Sequence, residues 1–402
     1  TLSLHDALPI FQKFGGTSVS TKEKRKLVVS KVINAKSKGY FPVVVVSAMG
    51  RKGEPYATDT LLSQIDDEFK EANPLAIDLL MSCGETISTV IMCNEFNINK
   101  IDAVPLTGGQ AGIITDSSYT NAAILNVDTK RILGILQNGK IPIVAGFQGM
   151  DDKGYVTTIG RGGSDVTAAL LGSALNAVEV QIYTDVDGIM TADPRIVSDA
   201  TLIKKISYDE IFQFADQGAK VIHPRAVEIC RKYNIPLVIK NTMNECAGTV
   251  ISNFESEVDN NIITGITYMN NRVQIKVTKN LACSYDDLFD ILAENFISID
   301  LINVFPKEKI FTIDEKDFTK FTDLIKEFNI SYSFVKDCSK LAIIGSKMRG
   351  IPGVMARILK AITKQKIEVL QTADSHMTIW CLVETKDAQK AIIALHKEFK
   401  LG

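Results

Sequence analysis

The sequence predicts an α/β protein in which a mostly parallel sheet between helix layers is followed by two smaller α+β units. Up to about Met243, short apolar runs alternate with longer helical segments. These runs are apolar throughout, which is typical of parallel strands buried on both faces. Beyond residue 261 a strand and helix pattern occurs twice, with an offset of about 68 to 70 residues. We therefore expect one large domain and a repeated pair.

Composition limits the possible partners. A chain of 402 residues predicts two to three domains. Its net charge of −2 gives no electrostatic reason to expect nucleic acid or an anionic membrane as a partner. Apolar runs such as 43–46 are strand-sized and too short to span a bilayer. The 7 cysteines are an odd number without a C-x-x-C pair, which favours reduced thiols and a cytoplasmic location.

The first ten residues fit the pattern poorly. They have neither an initiating Met nor the basic segment of a signal peptide. Pro9 falls in the first apolar run, where it cannot donate a ladder hydrogen bond. We interpret residues 1–10 as a non-native or disordered arm, with a genuine short arm as the alternative.

The predicted elements of the large domain follow from these runs. Helical segments are expected at 23–38 and 166–175. Buried strands are expected at 42–46, 101–104, 141–144, 180–183 and 235–239. The polar stretch after residue 245 is interpreted as a linker.

In the repeated pair, the strand-like run 273–277 returns at 341–345. The helix predicted at 286–294 returns at 354–363, and the run 297–301 returns at 367–371. Each copy is therefore a strand–helix–strand–strand–helix unit. The second copy has the turn Gly350-Ile351-Pro352-Gly353 before its helix, whereas the first has Asn280-Leu281-Ala282-Cys283.

Two glycine clusters carry the functional signal. Lys13-Phe14-Gly15-Gly16-Thr17-Ser18 follows a predicted strand and precedes a helix. Glycine backbone N–H groups at such a turn can bind phosphate oxygens, and Lys13 adds a positive charge. Gly160-Arg161-Gly162-Gly163-Ser164-Asp165 forms a second cluster of this kind. Neither spells a P-loop or a Rossmann fingerprint, and a single glycine pair would more often be an ordinary turn.

Ordered motifs identify a family. They are K-F-G-G-T-S, V-V-S-A-M-G, S-C-G-E, V-A-G-F-Q-G, G-R-G-G-S-D, Y-T-D-V-D-G, T-A-D-P-R and G-A-K-V-I-H-P-R-A-V-E. From Phe11 to the C-terminus the chain resembles the aspartate kinases of the amino-acid kinase superfamily. Residues 51–59 and 375–380 look most like the diaminopimelate-sensitive aspartokinases of spore-forming bacteria. The repeated pair resembles two ACT domains, which are ferredoxin-like modules that bind amino acids.

The resemblance implies a domain organisation. It is a catalytic amino-acid kinase domain at 11–245, a linker at 246–261, a first ACT-like repeat at 262–335 and a second at 336–402.

The resemblance also implies a reaction, the ATP-dependent phosphorylation of the L-aspartate side-chain carboxylate to 4-phospho-L-aspartate. This is the first step toward lysine, diaminopimelate, threonine and methionine. The implied catalytic residues are Lys13 and Lys220, which flank the transferred phosphoryl group, and Asp165, which orients both lysines. Gly15 and Gly16 would donate backbone N–H groups. Magnesium would arrive with ATP, without a protein metal ligand.

The implied binding sites are larger. Residues matching the family's ATP positions are Lys13, Phe14, Gly15, Gly16, Ser47, Thr184, Asp185, Met190, Arg195 and Lys220. Residues matching its aspartate positions are Thr58, Glu85, Arg161 and Ser164. Met190 stands where the family often carries an aromatic residue. His223 is interpreted as a packed structural histidine, and Trp380 and His376 as regulatory or packing residues.

The ACT-like pair implies regulation and assembly. We expect a diamino acid effector, meso-diaminopimelate first and lysine second, with its amino end near Asp286 or Asp287. We expect a homodimer or a higher homo-oligomer through these domains. Two alternatives remain open, namely another amino-acid kinase and a non-catalytic amino-acid sensor.

Overall fold

The computed structural model describes residues 8–160, 162–216, 222–254, 262–278, 287–328, 330–346, 348 and 351–402. These residues form two compact units. The first takes the described residues up to Ile189, then 202–215 and 222–254. The second takes 190–201, Asp216 and the described residues from 262 onward.

The first unit contains most of the helices and strands. Its strands are β1 (Pro9–Phe14), β2 (Phe41–Val46), β3 (Ala103–Leu106), β4 (Ile113–Thr115), β5 (Ile124–Val127), β6 (Ile141–Ala145), β7 (Gln148–Met150), β8 (Val156–Thr158), β9 (Glu179–Thr184), β10 (Lys205–Ser207), β11 (Leu237–Asn241) and β12 (Thr249–Ser252). Its helices are α1 (Gly16–Val19), α2 (Lys22–Ser37), α3 (Thr58–Leu62), α4 (Asp67–Ala72), α5 (Pro74–Ile98), α6 (Lys130–Gln137), α7 (Gly163–Ala174), α8 (Tyr208–Asp216) and α9 (Pro224–Tyr233).

Eight strands form the main sheet, in the order β10-β12-β11-β9-β1-β2-β6-β3. All neighbouring pairs are parallel except β11 with β12. This confirms the predicted parallel sheet. The predicted strands at 42–46, 141–144 and 180–183 are confirmed, whereas β3 and β11 begin two residues later than predicted.

Alternation along β1 sends its side chains to two helix layers. Phe14 is fully buried in a cluster with Val28 of α2, Met92 of α5 and Tyr183, on whose ring it stacks at a centroid distance of 4.6 Å. Lys13 points the opposite way, toward α7. The strand therefore fixes a packing residue and a charged residue at adjacent positions.

Two sequence predictions are corrected in this unit. Residues 246–261, predicted as a linker, contribute strand β12, because Thr249, Val250 and Ile251 are β-branched and pair with β11. Residues 9 and 10, predicted as part of an arm, belong to β1. Pro9 is the first residue of that strand, where its missing N–H is tolerated, and its carbonyl accepts from the Val178 N–H at 2.9 Å. Residues 1–7 lie outside the described residues.

A second sheet of four short strands, in the order β5-β4-β7-β8, packs on α5. Among the described residues α5 is the one helix long and apolar enough to cross a membrane by length and composition. Half of its most apolar window is buried inside the protein, and it also buries Asp78, Glu85 and Glu95. These properties are those of a core helix.

The second unit is an antiparallel sheet covered by helices. Its strands are β13 (Gly265–Thr278), β14 (Ile299–Val304), β15 (Glu308–Asp314), β16 (Tyr332–Ile344), β17 (Gln371–Asp374) and β18 (Thr378–Glu384). Its helices are α10 (Leu288–Glu294), α11 (Phe318–Glu327), α12 (Val354–Thr363) and α13 (Thr385–Phe399). The order of the strands is β14-β15-β13-β16-β18-β17. The predicted helix at 354–363 is confirmed, and α10 begins two residues after its predicted start.

The two repeats share their central strands. Residues 272–278 of β13 pair with β15, whereas residues 265–269 pair with the second half of β16, which in turn pairs with β18. Two separate cores follow, one around Phe311 and Phe321 and the other around Ile343 and Ile358. Residues 265–269, at the start of β13, thus complete the sheet of the second repeat.

The segment 190–201 is built into the second unit. Ala192 and Val197 belong to the core around Ile358. The Thr191 carbonyl accepts from the Ile266 N–H at 2.8 Å, and its buried hydroxyl lies 2.9 Å from Nε2 of His396. This segment, although it follows β9 in the sequence, therefore folds with the repeats.

Candidate active site

The first glycine cluster forms a tight turn from β1 into α1. Gly16 is required by close approach of the backbone, because a Cβ there would lie 2.4 Å from the Ala48 carbonyl oxygen. As the first residue of α1, Gly16 has no intrahelical acceptor for its N–H. The Gly15 N–H donates to the Tyr183 carbonyl at 3.3 Å. Gly16 is thus the better placed of the two to donate to a ligand.

The second glycine cluster opens α7. Gly162 precedes the helix with φ at 70°, a left-handed conformation that glycine adopts without strain. Two residues into the helix, Asp165 pairs with Lys13, with Nζ 2.7 Å from Oδ1. Both side chains are nearly buried, at 13% and 12% exposed. The two glycine turns therefore meet through an ion pair.

Helix α5 adds a buried carboxylate. Glu85 is 3% exposed, and burial raises its pKa to about 7, although the Ala48 backbone amide partly offsets this effect. Its Oε2 has no hydrogen-bond partner within the described part of the chain. A charge in such a position is unfavourable unless a ligand supplies a cation or donors.

These groups line one cavity of about 360 Å³, here called the Glu85 cavity. The predicted residues that line it are Lys13, Gly16, Ser47, Thr58, Glu85, Ser164 and Asp165. The structure thus brings together residues from four separate motifs. The cations and carboxylates of this cavity, with the N–H of Gly16, suit a ligand that carries both a positive and a negative charge.

A second cavity of about 250 Å³, here called the Asp185 cavity, lies beside the last residue of β9. Thr184 and Asp185 line it, as do Thr17 and Lys24. Arg51 lines both cavities, and its Nη2 lies 2.8 Å from Oδ2 of Asp185. The two cavities are therefore neighbours that share Arg51, whose exposed ion pair with Asp185 lies on the side of the second cavity.

Other predicted site residues lie elsewhere. Phe14 is a core residue, and Met190 and Arg195 belong to the second unit. Arg195 is bonded to Asp193 through Nε–Oδ1 at 3.0 Å and Nη2–Oδ2 at 2.7 Å.

Four further predicted residues fall on or beside undescribed positions. Arg161, Lys220 and Asp286 lie outside the described residues. Asp287 is the residue before α10, and its side chain caps no backbone N–H.

Three side chains without a role predicted from the sequence form hydrogen bonds between the elements that carry the site residues. Asp78 of α5 accepts hydrogen bonds from Thr120 and Thr158. Gln148 donates from Nε2 to the Ser82 carbonyl at 2.7 Å. Arg225 donates to the Ile159 carbonyl at 2.9 Å. Gln148 stands in the V-A-G-F-Q-G motif, which is the one signal that could have drawn attention to it.

His223 has the structural role that was predicted. Its Nδ1 accepts from the Arg225 N–H at 3.3 Å at the start of α9. Its ring also packs against Gly162, where an added Cβ would lie 2.2 Å away. The residue therefore joins α9 to the turn before α7.

Comparison with known proteins agrees with this geometry. The model of the amino acid kinase family matches residues 9–241, and an ACT domain model matches residues 333–397. The chain is 41% identical over 401 residues to Aspartokinase 1 of Bacillus subtilis, with 98% of this chain and 99% of that protein covered.

Solved structures agree as well. Escherichia coli aspartokinase III in complex with aspartate and ADP has a TM-score of 0.76 at 26% identity, with 97% of this chain and 99% of that chain covered. Clostridium acetobutylicum aspartate kinase has a TM-score of 0.80 at 25% identity, with 97% and 100% covered. Because the sequence likeness extends over nearly the whole chain, this protein belongs to the aspartokinase family.

Proposed function

We propose that this chain transfers the terminal phosphoryl group of ATP to the side-chain carboxylate of L-aspartate, and that aspartate binds in the Glu85 cavity. The observation that carries this proposal is the buried Oε2 of Glu85, which has no partner among the described residues and lies in the cavity that also holds Lys13 and Asp165. An amino acid brings the ammonium group that Glu85 lacks and carboxylates that suit nearby cations and donors.

Recognition of aspartate requires an anion for the ammonium group and donors for two carboxylates. Glu85 supplies the anion, and its pKa falls when the ammonium binds because an adjacent cation favours the charged form. Ser164 and Thr58 supply hydroxyl groups at the rim of the same cavity. Arg161, from the family motif, completes the proposed set.

ATP with Mg²⁺ is the proposed phosphoryl donor. Lys13 and the N–H of Gly16 suit phosphate oxygens, and Ser47, Thr184, Asp185 and Lys220 are the further proposed nucleotide contacts. Phe14, Gly15, Met190 and Arg195 remain predicted contacts, and for Gly15 the N–H that would serve is bonded to Tyr183. Magnesium neutralises phosphate charge when it arrives with the nucleotide.

The chemical step needs little proton transfer. A carboxylate oxygen of aspartate attacks the terminal phosphorus, the bond to the bridging oxygen breaks, and ADP leaves. The nucleophile is already ionised at neutral pH, so the protein contributes position and charge. Lys13 is held by Asp165 at 2.7 Å, where it can follow the charge that moves onto the phosphoryl oxygens.

We further propose regulation through the second unit. A diamino acid, meso-diaminopimelate or lysine, would bind the first repeat near Asp286 or Asp287 and shift the equilibrium of a homodimer or larger homo-oligomer. The boundaries of the repeats at residues 261 and 335 remain part of this proposal, whereas the boundary predicted at residue 245 gives way to the extension of the first unit through β12.

We also propose that the protein works in the cytoplasm. The six cysteines among the described residues form no disulfide, as is usual in a reducing compartment.

Replacing Lys13 tests the catalytic assignment. Lys13→Ala should lower turnover by more than 100-fold with little change in aspartate binding, because the charge matters most in the transition state. The measurement is ADP release in a coupled assay with saturating aspartate. Lys22→Ala, at the exposed start of α2, is the matched control. Turnover above about a tenth of wild type, which corresponds to about 1.4 kcal/mol of barrier, would contradict the role.

Replacing Glu85 tests substrate recognition. Glu85→Gln keeps the shape of the side chain and removes its charge, so the KM for aspartate should rise about 10- to 100-fold while the KM for ATP changes less than about twofold. Glu95→Gln is the control, since Glu95 is equally buried on α5 but faces Arg25. Equal losses for both substrates would point to a folding role for Glu85.

Replacing the two acidic residues before α10 tests the effector site. Asp286→Ala with Asp287→Ala should raise the effector concentration for half-inhibition by at least about tenfold, since the proposed carboxylate partners of the effector's ammonium group are lost. Inhibition by diaminopimelate and lysine is measured at saturating aspartate, with Asp290→Ala as control. Unchanged sensitivity to both amino acids would contradict this placement.

A further inference from the structure

Asp78 makes four hydrogen bonds from a fully buried position on α5. Its Oδ2 accepts from the Thr158 N–H at 2.8 Å and its Oδ1 accepts from the Thr158 hydroxyl at 2.6 Å. Both oxygens accept from the Thr120 N–H at 3.0 Å. Burial raises the pKa of this carboxyl, and the bonds from Thr158 and Thr120 oppose that effect. Among the described residues, every donor to this carboxylate therefore lies in the small sheet or in the turn beside it.

One of these partners holds a strained backbone. Thr120 has φ at 71°, a left-handed conformation that is rare for a β-branched residue. Such a conformation persists only where neighbouring groups enforce it. The paired carboxylate oxygens of Asp78 on the Thr120 N–H are that constraint. Two residues later, the Ala122 N–H donates to the Thr158 carbonyl at 2.8 Å, so the strained turn is closed onto the end of β8.

Asp78 links the helix that carries Glu85 to the strand that precedes α7. Glu85 follows it by seven residues on α5, which places both side chains on one face of the helix, two turns apart. Thr158 is the last residue of β8, and the chain after it leads into α7, which carries Ser164 and Asp165. Asp78 therefore ties the helix that carries Glu85 to the strand that leads into the opposite wall.

We propose that Asp78 is a positioning residue for aspartate, which acts by fixing the distance between Glu85 and the turn after β8 without touching the substrate. This proposal rests on the proposed aspartate site. Asp78 is absent from the residues that line either cavity, and its acceptor capacity is used by Thr120 and Thr158. Loss of the Asp78 carboxylate shifts α5, which carries Glu85, relative to the turn after β8. The binding of aspartate, which spans these two elements, is then weakened.

The test separates this role from general stability. Asp78→Asn places an amide N–H₂ against donors and should raise the KM for aspartate at least tenfold, with the KM for ATP within twofold and kcat lowered less than threefold. Thr158→Val removes only the hydroxyl donor and is the milder variant, should Asp78→Asn fail to fold. It should raise the KM for aspartate by about threefold or more. Glu95→Gln is the control for loss of a buried carboxylate on α5.

A double variant tests whether Asp78 acts through the strained backbone of Thr120. Thr120→Gly relieves the left-handed strain, so Asp78→Asn with Thr120→Gly should recover at least a third of the lost aspartate affinity.

If Glu85→Gln raises the KM for aspartate and the Asp78 and Thr158 variants do not, the positioning role is wrong while the aspartate site stands. If Glu85→Gln leaves that KM unchanged, the proposed site itself fails. Parallel losses for aspartate and ATP in Asp78→Asn would also overturn the proposal, because they indicate a general loss of structure.

Discussion

A buried carboxylate with one oxygen that has no partner among the described residues imposes the main constraint on the catalytic unit. Glu85 is 3% exposed, its pKa is raised to about 7, and Oε2 has no hydrogen-bond partner in the described part of the chain. Such a group costs stability in the free protein, so the helix that carries it needs support elsewhere. In the proposed complex, the ammonium group of aspartate would relieve that cost. Stability lost in the free protein would then become affinity for the substrate.

Other contacts in the catalytic unit fix the relative positions of the elements that line the Glu85 cavity. The parallel strand β1 delivers Lys13 toward α7, and Phe14 anchors the same strand to the opposite helix layer. Asp78 and Gln148 join α5 to the small sheet through hydrogen bonds to backbone groups. Because these contacts use buried polar groups in fixed directions, a shift of one wall disrupts several of them together.

Much of this architecture could be predicted from the sequence, for physical reasons that also explain the failures. Continuous apolar runs identified the parallel strands, and the glycine clusters indicated the two turns that meet through Lys13 and Asp165. The strand at 249–252 was missed because its polar, glycine-containing surroundings resemble a linker, and only pairing with β11 makes it a strand. Asp78 was missed because no local pattern distinguishes a buried aspartate on a helix from an exposed one. The membership of residues 190–201 in the second unit depends on tertiary contacts such as Thr191 with His396.

The most direct test of this account is the pKa of Glu85 in the free and bound protein. Carbon-13 NMR of glutamate-labelled protein, with Glu85→Gln to assign the signal, gives both values. We expect a pKa of about 7 for Glu85 in the free protein, and a fall of more than about one unit when aspartate is saturating. An ordinary carboxyl pKa in the free protein, or a value that aspartate does not change, would contradict it.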